Sequence, residues 1–399
     1  MKAKKLSVLL IVNQLIYGGA ERYTVSLANE LVERGCRVAI VSRGGPMKKL
    51  LDKKVKLYFA PVRKTDAISR LRSILAIVYV CWKEKIQIVH TQSTSGAFAA
   101  RIAKLITKVP VIKTAHGYPD GRFPSVARTL NHTTDKVVMI SDWLSKRLIS
   151  FGLRKNKAKT ILNGVDVNRF MNININKHNF KKDLGFTEKD KIVISVARVV
   201  PEKQFDQLIY WFPYVLARIP NAKLLIVGDG GADGEDYRNK LISHTKSVGL
   251  DKSIKFLKGT DKIGELLSIA DVYCTPSVGK GFAVLEAMVA GLPVVARRPR
   301  GVVDTVKDGI NGYLFDSSDW KGMVDKVTIL LKNKKTAKEL GEQGRLMAKS
   351  KFTLEKMVDK LSQMYLQLIN KSYLENENTA SNKLPTLFPA DLEAVPAKD

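Results

Sequence analysis

Val272-Tyr273-Cys274-Thr275-Pro276-Ser277-Val278-Gly279-Lys280-Gly281-Phe282-Ala283-Val284-Leu285-Glu286-Ala287-Met288, followed by Gly291-Leu292-Pro293-Val294-Val295-Ala296, decides the fold of this chain. Val272–Thr275 and Pro293–Ala296 are short, β-rich apolar runs. Between them a glycine-containing loop opens an apolar helix that carries a single acid, Glu286. Strand, loop, helix and strand in this order form a βαβ unit, and its two strands belong to a parallel sheet covered on both faces.

The same alternation continues outward. Lys191–Ala197, Lys223–Val227 and Ser253–Phe256 read as earlier strands, and Asp319–Lys332, Thr336–Lys349 and Leu354–Ile369 as later helices. A separate set lies nearer the start: Leu6–Val12, the helical Glu21–Glu33, Arg37–Val41, Val55–Phe59, Ile86–His90, Val111–Thr114 and Lys136–Ile140. Between the sets, from Asn163 to Thr187, the pattern lapses into a polar stretch containing Asn172-Ile173-Asn174-Ile175-Asn176. The expected fold class is therefore α/β, with two Rossmann-like parallel-sheet domains in tandem. The expected boundaries are 1–168 and 169–354. From Ser372 onward Pro385, Pro389 and Pro396 stand among polar and acidic residues, with too little apolar surface to offset ordering entropy, so 372–399 reads as a disordered tail.

A chain of 399 residues is too long for one ordinary core. Its 45% apolar and 26% charged residues suit a globular protein rather than a disordered or fibrous one. Cys36, Cys81 and Cys274 are odd in number and form no Cys-x-x-Cys pair, which speaks against a disulfide framework or a zinc site and for a reducing cytoplasm. The lysines before Leu6–Val12 imitate a signal peptide, yet the run is one strand long and no small-residue cleavage site follows. No stretch reaches the roughly 18 apolar residues of a membrane-spanning helix.

The net charge is +29, and residues 1–170 carry 32 Lys+Arg against 10 Asp+Glu. Such a field attracts an anionic surface, either nucleic acid or acidic lipid, unless it is simply a solvated basic face. The segment from Arg63 to Lys85 sets Arg70, Arg72, Lys83 and Lys85 around Leu71, Ile74, Leu75, Ile77, Val78 and Trp82. It suits a helix resting on a bilayer, or an ordinary helix facing the core.

In open α/β sheets ligands bind beyond the carboxyl ends of the strands, so unusual residues there matter most. After the first strand Tyr17-Gly18-Gly19-Ala20-Glu21-Arg22 offers a backbone anion cradle at a helix start. After the fifth stands Thr114-Ala115-His116-Gly117; His90, His132, His178 and His244 read as structural. Ala197-Arg198-Val199-Val200-Pro201-Glu202-Lys203 brackets a turn with two cations, a guanidinium fork and an ammonium point charge, which suits a diphosphate. Val227-Gly228-Asp229-Gly230-Gly231 is either a loop passing under a planar base or a plain glycine turn. In the helix opened by Gly281, loop N–H groups suit phosphate or sugar hydroxyls, and Glu286 suits a pair of vicinal hydroxyls.

The order Gly18-Gly19-Ala20-Glu21, His116-Gly117, Asn163-Gly164-Val165-Asp166, Arg198 with Lys203, Gly228-Asp229-Gly230, Gly281-Phe282-x-x-x-Glu286-Ala287-Met288 and Asp308-Gly309-Ile310-Asn311-Gly312 resembles family 4 of the retaining glycosyltransferases. The resemblance covers about residues 5–370. It implies a GT-B fold, with an acceptor-binding first domain, a nucleotide-sugar-binding second domain and a C-terminal helix, about 355–371, crossing back to the first. It implies that Arg198 and Lys203 bind the donor diphosphate and that Glu286 binds the ribose. Gly18 and Gly19 would approach the same phosphate, and Gly228 and Asp229 would complete the donor site. The amides of Gly281, Phe282 and Ala283 would orient the sugar. His116 would contact that sugar and act with Arg198 and Lys203 in catalysis, while Glu21 and Tyr118 would serve the acceptor. One departure stands out: the family usually has two glutamates eight positions apart, but Val278 lies eight before Glu286, and Lys280 replaces the acid that normally precedes Gly281-Phe282. This argues against a carboxylate nucleophile.

The expected activity is transfer of a hexose or N-acetylhexosamine, with retention and without metal, since no Asp-x-Asp triplet is present. No cofactor is expected beyond the nucleotide sugar as co-substrate. The expected acceptor is a lipid-linked or cell-surface glycan, of the polysaccharide or lipopolysaccharide kind, reached from the cytoplasm or from the inner face of the cell membrane. Two other readings stand beside it: a catalytically weak pseudo-enzyme of the same fold, and a basic nucleic-acid-binding protein, although no nucleic-acid module is recognisable. The sugar, the base, the linkage and the oligomeric state lie in loop shapes that the sequence does not spell out.

Overall fold

The computed structural model describes residues 6–62, 66–171, 173–231, 234–277, 281–298 and 300–377. The chain divides into two compact units, the first comprising 6–16, 20–163 and 354–377, the second 164–353 together with Tyr17–Gly19.

In the first unit β1 (Ser7–Ile11), β2 (Arg37–Ser42), β3 (Lys56–Phe59), β4 (Ile88–Thr91), β5 (Val111–Ala115), β6 (Lys136–Met139) and β7 (Ala158–Thr160) form one sheet. Its order is β3-β2-β1-β4-β5-β6-β7, and every adjoining pair is parallel. In the second, β8 (Lys191–Val196), β9 (Ala222–Val227), β10 (Ile254–Leu257), β11 (Val272–Thr275), β12 (Val294–Arg297) and β13 (Gly312–Phe315) are ordered β10-β9-β8-β11-β12-β13, again all parallel.

All five residues of β1 are buried, as are all four of β11 and β12. A parallel strand covered by helices on both faces reads as a continuous apolar run rather than an alternation, which is why these segments stood out. Each Val, Leu or Ile so enclosed contributes about 1.5–3 kcal/mol of transfer free energy. The order reverses between β1 and β4 and between β8 and β11. At such a switch point the neighbouring loops diverge and leave a crevice beyond the strand ends.

β7 and β13 escaped the pattern. The first is three residues at the sheet edge with its lysine exposed, and the second is four residues entered from Gly312. Neither is long enough to show a period. The first unit ends at Asn163, five residues before the expected boundary, because Val165 forms a parallel bridge with Thr353 and its N–H donates to Phe352 O at 2.8 Å. The polar stretch between the sets folds into two short helices, Asn168–Met171 and Lys177–Asp183, the second capped by Asn176 through Asn179 N–H. At the other end the helix Leu354–Glu377 continues six residues past Lys371, so 372–377 is helical rather than part of a tail; 378–399 lie outside the described residues.

That last helix belongs to the first unit, where Arg34 bonds Asp359 at 2.5 Å and the Glu355 carbonyl at 3.1 Å. Helix Ala67–Lys83 turns one side to the core and the other to solvent. Ala76, Ile77, Val78, Val80 and Cys81 are buried, while Ile68 and Leu71 are 67% and 56% exposed. Arg63 lies outside the described residues. Among those described, no helix is long and apolar enough to cross a membrane. All three cysteines are free thiols.

Candidate functional site

Cationic and glycine residues stand together beyond the carboxyl ends of β8, β9 and β11 in the second sheet. Beyond β8 the backbone is held by Ala197 N–H to Val227 O (3.1 Å) and Val199 N–H to Asp229 O (2.9 Å), which leaves the Arg198 side chain exposed. The tight turn Pro201–Lys203 follows, with Gln204 in the left-handed region at φ 55. Burial first, and then the charge of Arg198, pull the Lys203 ammonium below its usual range, with Glu202 opposing. The two cations therefore share one neighbourhood, and neither makes an ion pair among the described residues.

Gly228 is required by geometry. Its φ is 154, and a Cβ there would lie 1.9 Å from Ala197 O, so only glycine lets β9 close against the residue that precedes Arg198. Gly230 is similarly hemmed in, with Gly234 C at 2.2 Å, and its N–H donates to Glu235 Oε2 at 3.1 Å. The Asp229 carboxylate accepts from Gly259 N–H at 2.9 Å and pins one loop to another.

Helix Phe282–Val289 starts at Gly281 with no side-chain cap, so among the described residues its first-turn N–H groups have no side-chain acceptor. Phe282, Ala283 and Glu286 are buried, the last at 4% exposure. Val278 and Lys280, where the sequence departs from the family pattern, lie outside the described residues. A residue near Glu286 escaped the sequence reading. Tyr273 on β11 is 1% exposed, and its hydroxyl donates to Val196 O at 3.4 Å. Burial and then the charge of Glu286 hold its phenol well above the usual range. Arg198, Lys203 and Glu286 thus gather at one end of one sheet.

Arg297, at the end of β12, was also missed. It bonds Gln204 through Nη1 and Ser317 Oγ through Nε at 2.9 Å, fixing the turn that carries Lys203. Its contact depends on a long-range pairing that no local pattern encodes. The motif from Asp308 to Gly312 is a folding device: Asp308 accepts from Leu314 N–H, Asn311 from Lys307 N–H, and a Cβ on Gly312 would lie 2.6 Å from Val294 O.

In the first unit the ends of β4 and β5 carry the histidines. His116 is half-buried, 2.8 Å from Gln92 Oε1 and edge-on to Tyr23 at 5.2 Å. Burial, then the charges of Lys113 and His90, push its pKa down to about 3, so the imidazole is neutral at ordinary pH. His90 is a core residue held on both sides, by Tyr365 at 2.5 Å and Thr114 at 2.7 Å. Tyr118 sits over Lys113, and Glu21 is half-buried in the first turn of helix Gly19–Glu33. Gly18 is half-buried and Gly19, which opens that helix, is exposed. Among the described residues no three His, Cys, Asp or Glu side chains gather as a ligand set for a metal.

Two parallel sheets of this order, each with its own switch point, define a doubly wound α/β protein. The sequence pattern of glycosyl transferases group 1 matches residues 176–347, and that of glycosyltransferase family 4 matches 17–169. The chain belongs to the family 4 glycosyltransferases of GT-B type and is an enzyme of that class. Over 357 residues it is 27% identical to the UDP-Gal:alpha-D-GlcNAc-diphosphoundecaprenol alpha-1,3-galactosyltransferase of Escherichia coli, covering 83% of this chain and 88% of that one. Over 363 residues it is 24% identical to the capsular polysaccharide biosynthesis glycosyltransferase CapM of Staphylococcus aureus, covering 86% and 93%. Anabaena HepE in complex with UDP-glucose has the same fold, with a TM-score of 0.80 at 19% identity over 91% of this chain and 100% of that one.

Proposed function

We propose that this glycosyltransferase moves a hexose or N-acetylhexosamine from a nucleoside diphosphate sugar, without metal and with retention, to a lipid-linked or cell-surface glycan acceptor at the inner face of the membrane. The observation that carries the donor half is the placement of Arg198 and Lys203, both without ion pairs among the described residues, at the sheet end that also holds buried Glu286. As the glycosidic bond breaks, negative charge grows on the departing phosphate, and cations already fixed there lower the barrier most where that charge develops. The acceptor hydroxyl attacks from the face the phosphate leaves, and the phosphate takes its proton, so no protein base is needed. Neutral His116 serves as a hydrogen-bonding partner for a sugar hydroxyl rather than as a charge. The basic excess of residues 1–170 and the diphosphoundecaprenol-linked acceptor of the Escherichia coli relative support the lipid-linked half.

A panel of UDP- and GDP-sugars, with product anomers read by NMR, tests this directly. The retained anomer should appear, EDTA should leave the rate unchanged, and Arg198→Ala should lower turnover about 10²–10³-fold at an unaltered melting temperature. An inverted product, or activity restored only by a divalent cation, would remove retention or metal independence respectively. If no nucleotide sugar is turned over and no nucleotide raises the melting temperature, the donor assignment fails. Neutralising Lys48, Lys49, Lys53 and Lys54 should abolish sedimentation with anionic vesicles at low salt; unchanged sedimentation counts against the membrane surface.

A further inference from the structure

Gln92 is the first residue beyond β4, and His116 the first beyond β5, its neighbour in the sheet. Gln92 is 6% exposed, and its backbone N–H donates to Ile11 O at 2.8 Å, which fixes it against the end of β1. From there its side-chain carbonyl, Oε1, reaches His116 Nε2 at 2.8 Å. The imidazole has a second neighbour in the buried Tyr23, whose ring stands edge-on at 5.2 Å. His116 is thus bonded at one nitrogen and confined by an aromatic ring.

A carbonyl oxygen only accepts, so His116 Nε2 must carry the hydrogen it gives to Gln92. The surroundings keep the ring from taking a second proton: it is enclosed, Lys113 on β5 adds a positive charge, and His90 on β4 opposes another. The phenols of Tyr23 and Tyr365 are held above their usual range by burial and stay uncharged. A neutral imidazole with its hydrogen on Nε2 keeps a lone pair on Nδ1. Among the described residues Nδ1 has no hydrogen-bond partner and is not enclosed.

We propose that Gln92 is a positioning residue that holds His116 in the Nε2–H form, so that Nδ1 meets the donor sugar as an acceptor only and the group it recognises is a hydroxyl that donates. That His116 meets the sugar rests on the transferase reading above; the place of the hydrogen on the ring does not.

The full chain, with its histidine nitrogens isotopically labelled, provides the first measurement, the His116 signals being assigned by their loss in His116→Asn. At neutral pH and without ligand, Nε2 should resonate as a protonated ring nitrogen and Nδ1 as an unprotonated one. The reverse pattern would mean that the Gln92 amide is turned about and donates, and it overturns the proposal. Kinetics then probe the role through two substitutions. Gln92→Leu lets the ring place its hydrogen on either nitrogen, so kcat/KM for the nucleotide sugar should fall about tenfold at every pH. Gln92→Glu sets a carboxylate against Nε2, which raises the imidazole's pKa and protonates Nδ1 in acid. Its kcat/KM should match the leucine variant's in acid and climb back toward wild type as rising pH restores the neutral ring with hydrogen on Nε2. A side chain that only filled space would leave the shape of the pH profile unmoved. Wild-type kcat/KM in Gln92→Leu, or a Gln92→Glu profile parallel to that of the wild type, overturns the positioning role and spares the transferase. A wild type that turns over no nucleotide sugar sinks the transferase reading and the sugar contact with it, and the nitrogen spectrum alone then upholds or overturns the form of the ring.

Discussion

The two sheets share a strand order around their switch points but finish their strand ends in opposite ways. In the first, side chains close the ends against one another: His90 between Tyr365 and Thr114, His116 against Gln92. In the second, backbone closes them, with Gly228 against Ala197 and Gly230 against Gly234, while Arg198 and Lys203 are left without counter-ions among the described residues. The same topology can thus build a stiff socket of neutral imidazoles or a cradle of cations, and small residues decide which. Glycine brings main chains close enough for side chains to be left over.

Acid is expected to separate the two regions most. His90 and His116 are pushed down to about 3 by burial, whereas an unfolded histidine titrates near 6.5. A depressed folded value means that the stability is complete above pH 6.5 and drains away as the pH falls toward 3. At pH 4.5 the loss is about 2–3 kcal/mol for each histidine. His178 and His244 in the second unit are exposed. Limited proteolysis with mass spectrometry at falling pH should find first-unit cleavages earlier; earlier cleavage of the second would break the comparison.

Next in size is Gly228→Ala. With a backbone oxygen 1.9 Å from the new methyl group and φ at 154, the substitution should cost about 3 kcal/mol by denaturant titration and remove the nucleotide-induced rise in melting temperature. Gly152→Ala in the first unit has φ 93 but open space around it, and should cost about 1–2 kcal/mol with nucleotide response intact. Equal costs would show that close approach is not what matters at Gly228.

The smallest effect belongs to Tyr273→Phe. Its hydrogen bond to Val196 O is long, 3.4 Å, so stability should change by about 0.5–1.5 kcal/mol. Nucleotide affinity, measured by calorimetry, should weaken a few-fold if the phenol helps place Glu286, and an unchanged Kd would remove that link.

Much of this was legible beforehand because parallel strands buried on both faces print themselves as apolar runs. β1, β11 and β12 are such runs, and the residues just beyond strands are exposed to ligand by topology alone. Lys113 was invisible for a related reason: in Val111-Ile112-Lys113-Thr114-Ala115 it reads as one polar interruption of a strand, and only the fold reveals that its ammonium is enclosed. β7 and β13 are edge strands of three and four residues, held by their neighbours rather than by any period of their own.

By itself the sequence determined the tandem α/β class, the family and the places where a pair of cations and a glycine-opened helix stand, since these depend on local composition and on spacing along the chain. Tertiary structure alone decided that Asp229 is bound to Gly259, that Arg297 steadies Gln204, that the Tyr273 hydroxyl reaches Val196 on β8, and that Lys113 lies buried. The reason is physical. Burial and hydrogen-bond satisfaction depend on which strands become neighbours in a sheet, and residues far apart along the chain meet only when the fold has closed.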